Sequence, residues 1–276
     1  MEKRGLNKTS VIAFTLIGIC ALTGISLYAP EQLSHFVNIP GLLLVIGGTL
    51  VAILMCRPIQ DVKRVLKSVP TLLKNNETSS TYSEINQLLS IADYYRHGFL
   101  RNAEEELSYV NNDFLRAGMQ QVLDGASLDE VNKMLHWHKE GIKNRELADA
   151  QILKLMGSFA PAFGMLGTLL GLILMLHSLN DTNIATLGST IGFAMITTLY
   201  GIIISNLFLK PLAIKKQQRV EQYISQLTML QEGIIMLHQR QHPMLIKDTL
   251  DAFSSHRFNK TINPDEALYI QASSIH

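Results

Sequence analysis

A chain of 276 residues that is 47% hydrophobic and only 17% charged is poor in charge beside an ordinary soluble domain, where roughly 25% is typical. Lys plus Arg (24) nearly balances Asp plus Glu (23), so no strongly basic surface calls for nucleic acid. The two cysteines, Cys20 and Cys56, fall inside apolar runs, which argues against a disulfide scaffold or a zinc site.

The apolar residues gather into four runs without Asp, Glu, Lys or Arg: residues 11–29, 37–56, 155–179 and 184–209. Each is long enough to cross a hydrocarbon core of about 30 Å, which takes about 20 residues of helix. The first run is longer than a usual signal core and has no small-residue cleavage site after it, so it reads as retained. Lys3, Arg4 and Lys8 precede the first run; Arg57, Lys63, Arg64 and Lys67 follow the second; Lys210, Lys215, Lys216 and Arg219 follow the fourth. The short connections 30–36 and 180–183 carry no Lys or Arg. Basic residues mark the cytoplasmic side, so both termini and the middle segment are expected there.

The expected fold class is an all-α polytopic membrane protein: four transmembrane helices, with a helical cytoplasmic domain between helices 2 and 3. In segments, this is a cytoplasmic N-terminus (1–10), a first hairpin (11–56), a cytoplasmic domain (57–151), a second hairpin (152–209) and a cytoplasmic helix with tail (210–276). Within the middle segment, Ile85, Leu88, Leu89 and Ala92 keep an amphipathic helical period. Residues 111–123 and 128–137 read as further helices, separated by Asp124-Gly125. Ser127 with Glu130 has the spacing of a capping box for the later one. Residues 74–80 read as a polar loop, and 215–238 as a long amphipathic helix. Beyond about Phe258 the sequence turns polar, the composition of disorder. No repeat, nucleotide-binding loop or metal-ligand cluster stands out, and His136-Trp137-His138 is too isolated to suggest an enzyme.

The second pair of membrane helices differs from the first. Gly157, Pro161, Gly164, Thr168 and Gly171 recur at steps of four, three, four and three, so they share one small and polar face. Gly167 and Gly171 make a GxxxG, and Ala194, Thr198, Gly201 and Ser205 form a similar stripe on the fourth helix, with Thr197 beside it. Two readings stand. Such stripes are common packing seams. They also suit an ion path: Pro161 has no N–H for the Gly157 carbonyl, and a free carbonyl beside threonine hydroxyls offers oxygen ligands to a hard cation. An ion-driven machine keeps an ionisable group at membrane depth. None of the four runs has a charged one, so any carboxylate must come from another chain.

The segment Ala160-Pro161-Ala162-Phe163-Gly164-Met165-Leu166-Gly167-Thr168-Leu169-Leu170-Gly171-Leu172 closely resembles the third membrane helix of the MotA/PomA family of flagellar stator proteins. Thr197-Thr198-Leu199-Tyr200-Gly201, then Ser205-Asn206 and Pro211-Leu212-Ala213, resemble that family's fourth helix and exit. Arg96-His97-Gly98-Phe99-Leu100 followed by Glu104-Glu105-Glu106 is similar to its charged cytoplasmic motif. The resemblance runs over roughly residues 10–255. It implies a non-enzymatic stator subunit that couples the flow of sodium or protons to torque and needs no cofactor. It also implies partners: five copies of the chain around a single-pass MotB or PomB subunit that supplies the membrane aspartate, and the rotor protein FliG.

Carried over residue by residue, the ion path comprises Thr168, Thr198, Thr197, Pro161 and Gly164. The rotor-facing charges are Arg96, Glu104 and Glu106, and Pro161 and Pro211 couple conformational change. The spacing of eight between Arg96 and Glu104, about two helical turns, predicts that both face one partner helix. Thr168 with Thr198 favours sodium. Two departures from the family pattern are Ser158, where an acidic residue is common, and Arg101-Asn102-Ala103, in place of a more apolar run with a glutamate. A TolQ/ExbB-like energiser of an envelope process is the nearest alternative. A non-conducting membrane scaffold or transporter is the next.

Overall fold

The computed structural model describes residues 37–73, 78–177 and 184–260, with backbone alone for 73, 78–81, 184–186 and 254–260. The described residues are almost wholly helical and contain no strand. In chain order the elements are α1 (Ile39–Cys56), α2 (Ile59–Leu73), α3 (Thr78–Arg96), α4 (Leu100–Ser108), α5 (Asp113–Leu123), α6 (Leu128–His177), α7 (Ile184–Ile203), a π-helix π1 (Ile204–Leu209), α8 (Lys210–His238) and α9 (Pro243–Lys260). Three helical stretches are long and apolar enough to cross a membrane: Ile39–Cys56, Leu128–His177 and Leu187–His238. The first expected span, 11–29, lies outside the described residues, so three spans rather than four are seen.

Compactness divides the described residues into two units: residues 37–73 with 146–177 and 184–219, and residues 78–145 with 220–260. In the first unit, α1 starts where the Asn38 side chain accepts the Gly41 N–H at 2.9 Å, with Pro40 in the opening turn. This is the usual pairing of a capping side chain with a proline that has no N–H to waste. Pro58 ends α1 by holding Arg57 extended. Gly41, Val45, Thr49 and Ile53 are the buried stripe of α1, while Leu43, Val51 and Met55 stay exposed on its other faces. An apolar outer surface of this kind suits lipid. The amphipathic α2 lays Val62, Val65 and Leu72 against Ile53, Ile152, Leu153, Met156 and Ala213.

Polar ties pin the same region. Arg64 holds the almost fully buried Asp149 through Nη2, at 2.6 Å, and Nε, at 3.2 Å. That hydrogen bond, more than the charge of Asp149 or Asp61, raises the guanidinium above its ordinary pKa. Lys216 meets Glu146 at 2.5 Å, and Arg219 donates to the Thr71 carbonyl at 2.9 Å. Breaking a fully buried pair costs ~3–5 kcal/mol. The Arg64 side chain keeps 34% exposure, so roughly 2 kcal/mol is the appropriate scale for its pair with Asp149.

The second unit packs α3, α4, α5, α9 and the adjoining parts of α6 and α8 around Phe114, Leu88, Ile91, Leu115, Met119, Leu135, Leu227, Leu230 and Ile234. The capping box is formed: Glu130 accepts the Ser127 N–H at 2.9 Å, and the Ser127 hydroxyl accepts the Glu130 N–H at 3.4 Å. The hydroxyl also donates to the Glu130 carboxylate and, with the amide, holds it below its usual pKa.

Three features differ from the sequence expectation. The helices foreseen at 128–137 and from 155 are one continuous helix of 50 residues, α6, because the helix-forming stretch between them contains no proline. The segment after residue 242 folds as α9, whose Ile246 and Leu250 are fully buried in the second unit's core. The fourth apolar run is not uniformly α-helical but widens into π1 before α8.

Candidate functional site

The α6–α7 seam is made of backbone meeting backbone. A Cβ on Gly201 would lie 2.7 Å from the Ala160 carbonyl oxygen and 3.2 Å from the Pro161 Cα. One on Gly164 would lie 3.0 Å from the Thr197 carbonyl oxygen and 3.2 Å from the Thr198 Cα. One on Gly171 would lie 2.7 Å from the Ala194 Cβ. These glycines are therefore what lets the two helices approach, as small residues do between membrane helices.

Pro161, Gly164 and Thr198 come together at this seam. The Thr198 hydroxyl donates across it to the Gly164 carbonyl at 3.3 Å and is half-buried. Thr168, one turn beyond Gly164 on the same face, is also half-buried and donates to the Met165 carbonyl at 2.6 Å. Each hydroxyl thus spends its hydrogen on a helix carbonyl. Its lone pairs remain acceptors, which is the chemistry a hard cation needs. Within the described apolar stretches 39–56, 155–177 and 184–209 no Asp, Glu, Lys or Arg occurs.

Thr197 is not brought into this group. It is fully buried, donates to the Ala194 carbonyl at 2.8 Å, and wedges between Gly167 of α6 and Gly41 of α1. Adjacent helix positions are about 100° apart, so Thr197 and Thr198 face different neighbours. Tyr200 adds a second tie to α1, its hydroxyl accepting the Asn38 N–H at 2.8 Å. The Phe163 ring lies over Gly48 and leaves no room there for a Cβ.

The Gly157 carbonyl, expected to be free for an ion, is not. Ser205 donates to it at 2.5 Å, and both residues are buried. The hydroxyl of the facing helix replaces the N–H that Pro161 lacks. Ser205 stood in the sequence stripe, yet nothing there showed which carbonyl it meets. Pro211, the second residue of α8, is half-buried immediately after π1.

The charged motif lies in the second unit. Arg96 and Glu104 are exposed and Glu106 is half-buried. The expectation that Arg96 and Glu104 share one helix is corrected. Arg96 ends α3, Gly98 turns the chain at φ 78°, and α4 begins at Leu100. A left-handed φ is available to glycine without the steric penalty other residues meet, so Gly98 is what allows the break. Phe99 is exposed there and stacks on His97 with ring centroids 6.4 Å apart. In the 136–138 cluster, Trp137 is exposed and the His138 ring lies 5.5 Å from Phe114.

Comparison with known proteins agrees with this arrangement. The MotA/TolQ/ExbB proton channel family matches residues 106–229. Motility protein A of Borreliella burgdorferi is 27% identical over 258 residues, covering 94% of this chain and 98% of that protein. Chemotaxis protein PomA of Vibrio alginolyticus is 28% identical over 237 residues, covering 85% and 91%. The flagellar MotAB stator complex from Bacillus subtilis superimposes with a TM-score of 0.71 at 27% identity, covering 88% of this chain and 97% of that one. Relatives named for motility thus align along nearly the whole chain, and residues 106–229, from the end of α4 into α8, match a domain of the MotA/TolQ/ExbB proton channel family.

Proposed function

We propose that the chain is the ion-conducting stator subunit of a flagellar motor, converting the flow of sodium or protons into torque. The observation that carries this reading is the α6–α7 seam. It sets the Thr198 hydroxyl and the Gly164 carbonyl side by side at membrane depth, with no charged residue of the chain's own to hold the ion. A carboxylate is needed at that depth. A single-pass MotB- or PomB-like partner supplies it in this reading, as the MotAB likeness supports.

Five copies of the chain around that partner form the working unit, in an inner membrane, with both termini cytoplasmic. Thr168, Thr198, Pro161 and Gly164 line the path, and Thr197 supports it from behind. The two half-exposed threonines favour sodium over protons. Pro161 and Pro211 transmit the conformational change, and Arg96, Glu104 and Glu106 meet the rotor protein FliG. An envelope energiser of the TolQ/ExbB kind shares the family name, but the relatives aligned over most of this chain are motility and chemotaxis proteins.

The test is Thr198→Ala in a strain lacking its own copy. Motility is abolished or sharply reduced while the protein stays in the membrane; normal swimming across a range of external sodium and pH would refute the ion path.

A further inference from the structure

Two prolines open two helical turns on facing helices. Pro161 cannot donate to the Gly157 carbonyl, one turn earlier on α6. Pro211 cannot donate into the turn before it, and that turn is where the chain widens into π1, with the Lys210 N–H reaching back to the Ser205 carbonyl. These loosened turns lie against each other: a Cβ on Gly157 would be 3.3 Å from Lys210 Cγ and 3.6 Å from Leu209 Cβ. A single side-chain hydrogen bond joins them, from the fully buried Ser205 hydroxyl to the Gly157 carbonyl.

An orphaned carbonyl in hydrocarbon is costly, so this bond replaces an interaction the α-helix would otherwise supply to itself. Its position has a further consequence. The π turn changes the phase of the helix that follows. Ala194, Thr198, Gly201 and Ser205 follow the seam at steps of four, three and four, and then Leu209 and Lys210 take over against Gly157. Ser205 stands where that phase changes. Gly157 and Gly164 are seven residues apart, about 10 Å along the helix, so Ser205 touches neither Thr198 nor an ion bound beside it.

We propose that Ser205 is a positioning residue of the ion path: it latches the turn opened by Pro161 to the π turn before Pro211 and so keeps the Thr168 and Thr198 faces in register. The proposal rests on the ion-path reading above. Ser205 lies seven residues, about two helical turns, from Thr198, so its loss is expected to slow the cycle far more than it weakens ion binding.

The experiment measures swimming speed against the concentration of the coupling ion for Ser205→Ala, Ser205→Thr and Thr198→Ala, with membrane abundance measured in parallel. At equal abundance Ser205→Ala lowers maximal speed by at least about threefold, leaves the half-saturating ion concentration within about twofold, and Ser205→Thr recovers most of the loss. Unchanged maximal speed overturns the proposal. So does a raised half-saturating concentration at full maximal speed, which would make Ser205 an ion ligand. If Ser205→Ala accumulates poorly, Pro161→Ala in the same chain decides the matter. It restores the N–H for Gly157, so a return of abundance supports the latch and no return overturns it. Normal swimming of Thr198→Ala would instead remove the ion-path reading itself, whereas a stalled Thr198→Ala beside a silent Ser205→Ala removes only the latch.

Discussion

The α6–α7 seam and the core of the second unit are both tightly packed, and they are packed by opposite means. In the core, large side chains such as Phe114, Leu88 and Ile234 fill the space between helices that stand apart, and removal of apolar surface from water drives the packing. In the seam, side chains are nearly absent: glycines at 164, 167, 171 and 201 let backbone and small side chains touch. Lipid tails are as apolar as leucine, so burial there gives little advantage. Close contact and interhelical hydrogen bonds hold the helices instead. The consequence is functional. A seam of bare backbone exposes carbonyl oxygens and small hydroxyls at membrane depth, which a leucine-filled interface would cover.

If the contrast holds, adding bulk should ruin the seam and removing bulk should only weaken the core. The largest effect is expected for Gly201→Leu, whose Cβ would press within 2.7 Å of the Ala160 carbonyl, a backbone atom that cannot yield. Membrane accumulation and motility are both lost. Gly47→Leu, with nothing within 4 Å of the added carbon, accumulates normally. Immunoblots of membrane fractions separate the two, and equal levels would contradict the backbone-contact account.

Next comes Leu88→Ala, at a side chain with 0% exposure. It costs about 3 kcal/mol, inside the ~2–5 kcal/mol range for such truncations, and lowers the melting temperature of the purified protein without abolishing assembly. A melting temperature equal to wild type would mean that this core does not limit stability. The smallest effect on stability belongs to Arg96→Glu. The residue is exposed at the end of α3, so folding shifts by no more than about 0.5 kcal/mol, while torque on a tethered cell falls. Unchanged torque would remove Arg96 from the rotor surface.

Patterns that run along one helix are legible in the amino-acid sequence. The small-residue stripes at 157–171 and 194–205 are one-dimensional repeats, and the Ser127–Glu130 cap is a local motif that forms as its spacing predicts. The sequence misleads where the answer depends on a second element. Arg96 and Glu104 have the spacing of one helix face, but Gly98 breaks the helix between them. The Gly157 carbonyl looks free along its own helix because its partner, Ser205, lies 48 residues away on another. Thr197 and Thr198 are the same residue type side by side; only the placement of α1 makes the first a buried wedge and leaves the second half-exposed.

By itself, then, the sequence determined the apolar stretches, the side of the helix that is small and the absence of a charged residue within them. Each of these follows from composition and period along the chain. Tertiary structure decided which hydroxyl meets which carbonyl, where α7 widens into π1, and which threonine turns toward α1. Those outcomes rest on contacts between residues far apart in the chain, and a backbone that lacks an N–H at Pro161 and Pro211 takes the partner that packing brings to it.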